Sequence, residues 1–263
     1  MTRGRYYTEN ADKWRVLADI DYITYFVKAW IPFNAWYKNY YAELSTDNDI
    51  ISEIKTNPNR FRDNMESLLR GTDIDSRTFQ NHIAALHTQL GRYTIRNKSE
   101  KITFEKVVLE RNSKHKEIST RNGLKYEINR DPSNHKKIES KIVNCKNGNV
   151  KLLFQQTNGF DLESLKNCPD YLSLNPGQKE TLSCCYNELN PNKPVCLLTT
   201  EDEYLQIGQY HFINNIEILC KGIITILYLL RNSLFHGEII PDKDTNRVYE
   251  HAYHILHQMV IDL

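Results

Sequence analysis

The sequence predicts a mainly α fold, a helical bundle built from both ends of the chain, with an inserted β-hairpin-rich (α+β) subdomain. Three observations lead there. From Ile213 to Gly237 apolar residues recur at three- and four-residue steps, through Ile216, Cys220, Ile223, Ile224, Leu227 and Leu230, which is the period of a helix. From Asp12 to Leu44 an aromatic stripe (Tyr22, Phe26, Trp30, Phe33, Tyr37, then Tyr40 or Tyr41) repeats at the same steps and marks one helical face. After Gly91 the texture changes to alternation, and Asn147-Gly148 between two apolar runs is a strong hairpin signal. The expected divisions are 1–91 for the N-terminal helices, 92–200 for a basic β-containing insertion and 201–263 for a C-terminal helix pair.

Taken in order, the aromatic helix carries Pro32, so a kink or break is expected near Trp30. Its stripe suits a core or subunit interface, and stacking on RNA bases is the other reading. A second helix is expected over Asp49 to Leu69, broken at Pro58 and closed by Gly71. A third runs from Ser76, its expected N-cap, to Leu90, with Gly91 as the stop. In the insertion, Lys101 to Glu110 and Leu124 to Asn129 alternate as strands, and the runs flanking Asn147-Gly148 complete a small antiparallel sheet. Four prolines between 158 and 200 suit loops, with short helices near Leu162 and Thr181. Helix is expected to return at Glu201 and run into the central element. Pro241-Asp242 then starts a last helix with Val248, Ala252, Ile255, Met259 and Leu263 on one face.

Net charge is +1 over the whole chain, so it selects no partner. Its distribution does more: Arg92 to Lys151 holds 16 Lys and Arg against 7 Asp and Glu, leaving 18 basic and 26 acidic residues elsewhere. A basic lobe is one sign of nucleic-acid contact, with Lys114, Lys116, Lys136 and Lys137 as candidate RNA-binding residues; a solvated hairpin surface is the alternative. Six cysteines without a Cys-x-x-Cys pattern suit reduced, mostly buried thiols of a cytoplasmic protein. The N-terminal stretch has no apolar signal-like core, and Lys221 and Arg231 bracket an apolar run too short to cross a bilayer, so no membrane role is expected. His251, His254 and His257 lie on the polar face of the last helix. Either they bind a metal or they form a solvated face, and with Glu250 as the only nearby carboxylate the expectation is no metal and no cofactor.

The candidate site is the end of the central helix, where Arg231, Asn232 and Ser233 are followed by Leu234, Phe235, His236 and Gly237, the last a C-cap signal. Spacing alone is weak, because Arg77/His82, Arg130/His135 and Arg247/His254 show a similar one. The context is specific: the most apolar helix of the chain, Asn directly after the Arg and Gly directly after the His. With that context, Leu227 to Glu238 resembles the HEPN superfamily, whose ribonucleases carry an Arg-x4–6-His motif; the sequence RNSLFH fits it. The resemblance implies a HEPN-like bundle, an endoribonuclease independent of metal, a homodimer whose two motifs meet in one composite cleft, and a role as a toxin or antiviral effector with an antitoxin or defence-system partner protein.

The residue types suit that chemistry. RNA supplies its own nucleophile, the 2′-hydroxyl, so cleavage needs a base, an acid and a cation for the phosphorane. Histidine titrates near neutral pH, and a helix C-terminus favours its protonated form, which tilts His236 toward the acid role. Arg231 presents a permanently charged fork to phosphate oxygens. Asn232 and Ser233 are expected to bond the phosphate or orient the imidazole, and Asn34 to reach the site if its helix packs beside the central one. Five helical residues rotate by about 500°, so Arg231 and His236 stand roughly 140° apart and need a helix end or a second copy to converge. The rival reading is a non-catalytic module that binds a nucleotide or a protein, with Arg231 and His236 buried and paired within one subunit.

Overall fold

A computed structural model describes residues 21–261 and 263. In chain order the elements are helices α1 (Tyr22–Tyr40), α2 (Asp47–Thr56), α3 (Arg60–Arg70) and α4 (Ile74–Arg92), then the short strands β1 (Arg96–Asn97) and β2 (Glu100–Lys101). Strands β3 (Lys116–Arg121), β4 (Leu124–Arg130), β5 (Ile138–Asn144) and β6 (Val150–Gln156) follow, with helices α5 (Leu162–Lys166), α6 (Pro169–Leu172) and α7 (Pro176–Asn187). The hairpin β7 (Tyr204–Ile207) and β8 (Tyr210–Ile213) leads into α8 (Ile216–Phe235) and α9 (Lys243–Val260). The chain divides into two compact units, one from both ends of the chain (up to Leu109 and from Val195) and one spanning Glu110–Pro194.

Helix takes 49% and strand 17%, which makes the protein an α+β mix and not the mainly α bundle the sequence predicts. Two stretches account for the difference. Residues 116–156 form a complete four-stranded antiparallel sheet with a core of its own. Residues 204–213, expected as helix, form a two-stranded hairpin instead. Gly208 turns that hairpin at φ +58°, and a Cβ there would stand 2.7 Å from Ala84 Cβ on α4, so both backbone angle and packing call for glycine.

In the first unit, each of the six helices among the described residues opens on a side chain that accepts a hydrogen bond from the backbone amide three residues on: Asp21, Thr46, Asn59, Asp73, Asn215 and Asp242. Each such cap contributes about 1 kcal/mol. Asp73, not Ser76, caps α4, and the helix continues through Gly91 to Arg92. Pro58 separates α2 from α3 by forcing Asn57 into the extended region, at φ −100° and ψ 150°. Pro32 does not break α1. The carbonyl that loses its amide partner belongs to Lys28, an exposed residue, while Phe26, Trp30, Phe33 and Tyr37 stay buried on the opposite side. The expected helix start at Asp12 lies outside the described residues. Lys101 to Glu110 is not a continuous strand: beyond β2 it makes scattered backbone contacts, the Ile102 amide with Ile95, the Phe104 carbonyl with Leu197 and an isolated bridge of Val107 with Val195.

Helix α8 runs through this core, with Leu219, Cys220, Ile223, Ile226, Leu227 and Leu230 at most 2% exposed. By length and composition it is apolar enough to cross a bilayer, contrary to the short run expected, but 56% of that window is buried in the fold, as a core helix is. Tyr249 of α9 donates to the Leu230 carbonyl at 2.8 Å and ties the two helices together. In the second unit, Tyr126, Ile128, Ile138 and Ile142 on one sheet face pack on Leu165, Leu182 and Tyr186 of the short helices. Asn147-Gly148 turns β5 into β6, with Gly148 at φ +72°. The six cysteines are free, but Cys145, Cys184 and Cys196 are exposed, so only half of the thiols are buried as expected.

Candidate functional site at the end of helix α8

Helix α8 ends in a Schellman cap. Gly237 at φ +68° lets its amide reach the Leu234 carbonyl at 3.1 Å and the Glu238 amide reach the Ser233 carbonyl at 2.8 Å. This arrangement places His236 at the C-cap position, where its side chain is exposed and makes no hydrogen bond among the described residues.

Arg231, one turn earlier, is only 21% exposed along its side chain. Nη2 donates to Asp47 Oδ2 at 3.1 Å and Nη1 to Asn232 Oδ1 at 3.0 Å, and the guanidinium carbon lies 4.7 Å from the centre of the Phe235 ring. Nε is buried without a partner among the described residues. Asp47 also accepts an ion pair from Lys38 at 2.8 Å, so one carboxylate serves two cations. Burial, then the Asp47 charge, pushes the Tyr37 hydroxyl up to about 12, and the Asn34 amide donates to that hydroxyl at 2.5 Å.

The structure therefore brings Arg231, Asn232 and Asn34 to one end of the bundle, with Asn34 acting on the cluster through Tyr37. Two expectations about the rest need correction. Ser233 is fully buried, and its hydroxyl donates to the Arg96 and Leu229 carbonyls at 2.7 and 3.0 Å, so it anchors α8 to β1 and bonds neither phosphate nor imidazole. Asn232 Oδ1 accepts from Arg231 and not from His236, while its amide nitrogen makes no hydrogen bond among the described residues. Sequence reasoning missed Asp47, Lys38, Tyr37 and Phe235. Phe235 was legible, since it follows Arg231 by four residues on one helix face; the Asp47 pairing is tertiary and left no sequence signal.

No family model, curated protein or solved structure matches this chain.

The four candidate RNA-binding lysines differ in their surroundings. Lys114 is paired with Glu117 and with Glu188, the latter at 3.5 Å, so much of its charge is answered within the fold. Lys116, Lys136 and Lys137 are exposed and have no carboxylate within ion-pair distance among the described residues. The polar face of α9 is not simply solvated. His82 of α4 places Nδ1 3.2 Å from His251 Nδ1 and stacks on His254 with ring centres 4.4 Å apart. Burial first, then the two neighbouring imidazoles, lowers His82 to about 4. Among the described residues, no group of three or more His, Cys, Asp or Glu is arranged to hold a metal ion.

Proposed function

We propose that this chain is a metal-independent endoribonuclease of the HEPN type, acting as a cytoplasmic homodimer and serving as a toxin or antiviral effector. The observation that carries the reading is His236: an exposed imidazole with no hydrogen-bond partner among the described residues, held at a helix C-terminus one turn beyond a guanidinium. In the reaction the RNA 2′-hydroxyl attacks its own phosphorus and the bond to the 5′-oxygen breaks. One group takes the 2′ proton and His236 returns a proton to the leaving 5′-oxygen, giving a 2′,3′-cyclic phosphate and a 5′-hydroxyl. Arg231 answers the phosphorane charge. The angle of roughly 140° between the two residues on α8 favours a cleft completed by a second copy.

The Arg231–Asp47 ion pair favours the rival, a non-catalytic module that binds a nucleotide or a partner protein, because it gives the guanidinium a structural occupation. A mixed dimer decides between them. Purified protein is incubated with single-stranded RNA in EDTA and the product ends are mapped. A dimer of one wild-type and one His236→Ala subunit, isolated with two affinity tags, is expected to retain far less than half the activity. Retention of half the activity overturns the shared cleft, full activity of the His236→Ala homodimer overturns the role of His236, and wild-type protein that leaves the RNA uncut overturns the nuclease assignment.

A further inference from the structure

At one end of the second unit's sheet, the register aligns Lys116, Asn129, Glu139 and Gln155 in a single row across the four strands. Over this row and beneath the β4–β5 turn lies a cavity of about 690 Å³, lined in addition by His115, Arg130 and Lys137. That volume is within the usual range for small-molecule sites and several times what a phosphate ion fills.

Its polar groups are only partly used by the fold. Arg130 is 3% exposed, and its two terminal nitrogens donate to the carbonyls of Leu189, Asn112 and Lys114. Among the described residues no carboxylate stands within ion-pair distance, so the buried positive charge is answered there by carbonyl dipoles, and Arg130 Nε has no partner. His115 Nδ1 is likewise buried and unpartnered. Lys116 and Lys137 are exposed without ion pairs, and the Asn129 amide makes no hydrogen bond among the described residues. The two carboxylates of the lining are already engaged. Asp131 accepts the amides of Ser133 and Asn134, and Glu139 accepts from Gln155 at 2.8 Å.

From the cavity, the uncompensated guanidinium and the free amide together, we infer that this site binds a nucleotide. The phosphate is met by Lys116 and Lys137 in the field of Arg130, and the base edge by Asn129, whose amide offers one donor group and one acceptor. The site is independent of the α8 reading and is tested without any cleavage assay. Its nucleotide is either free or the end of an RNA strand.

Calorimetry on the full chain uses the four nucleoside 5′-monophosphates, the matching nucleosides and inorganic phosphate as probes. At least one monophosphate is expected to bind saturably, and its nucleoside and inorganic phosphate to bind about tenfold more weakly or less, because each lacks half of the contacts. The double variant Lys116→Gln/Lys137→Gln is expected to weaken that binding by about tenfold or more at an unchanged melting temperature. A 5′-phosphorylated hexaribonucleotide that displaces the monophosphate, where its 5′-hydroxyl counterpart does not, identifies a strand end; no displacement by either identifies the free nucleotide. The inference is overturned if no monophosphate binds at millimolar concentration, if the double variant binds equally well, or if inorganic phosphate alone binds as tightly.

Discussion

The pairing of Arg231 with Asp47 is open to a direct measurement of its strength. At about 4 Å between charge centres and an effective dielectric constant near 20, the gross attraction is about 4 kcal/mol. Desolvation of both groups and the ordering of the arginine stem offset most of it. With side chains 21% and 23% exposed, the pair lies between surface pairs, worth about 0.2–1 kcal/mol, and buried ones. A coupling of about 1–1.5 kcal/mol is therefore expected. Single substitutions overstate it, because Asp47→Ala also removes the Lys38 pair and a favourable charge in the first turn of α2. A double-mutant cycle of Asp47→Ala and Arg231→Ala, read by urea unfolding, cancels both contributions. A coupling below about 0.3 kcal/mol would show that the two charges do not meet in solution and that Arg231 owes its position to Phe235 and Asn232.

Two further outcomes follow from buried groups. Ser233→Ala removes the only donor to the Arg96 carbonyl from α8 and should cost about 1–3 kcal/mol in chemical denaturation, although the residue is fully buried and the change is small in volume. The His82 imidazole, lowered to about 4 against an ordinary value of 6.5, makes stability depend on acidity. Its neutral packing is fully favourable above pH 6.5, where neither state is protonated. As pH falls from 6.5 toward 4 the unfolded chain takes up a proton that the fold resists, so stability declines. Thermal melts from pH 7.5 to 4.5 should show this decline, and His82→Gln should flatten it; equal slopes would mean the three rings do not share one dry contact.

Legibility in the sequence followed locality. The C-terminal end of α8, the start of α9, the break at Pro58 and the Asn147-Gly148 hairpin depend on near neighbours, and periodicity or turn chemistry showed them. The stretch 204–213 did not read as a hairpin, because Gly208 is needed there partly for its contact with Ala84 on α4, more than one hundred residues away. Ser233 looked like a site residue because the sequence shows a hydroxyl beside an arginine and hides the carbonyl of Arg96 that takes it. Likewise, three histidines on α9 read as a polar face until His82 from another helix joined them. The Arg231 and His236 positions were visible, whereas the ion pair that restrains the arginine was not.

The pairing of Val107 with Val195 has a consequence for how the chain can be cut and rejoined. Their backbones exchange two hydrogen bonds, each 2.9 Å, just before the chain leaves the first unit and just after it returns. The segment between them thus begins and ends at a clasp made by residues it does not contain. Closing a loop costs free energy that grows only with the logarithm of its length, so replacing 110–194 by a few flexible residues changes the closure term by only a few kcal/mol, in the favourable direction. The clasp makes 110–194 an exchangeable cassette: both points of exit and return stay joined through Val107 and Val195 whatever is spliced between them.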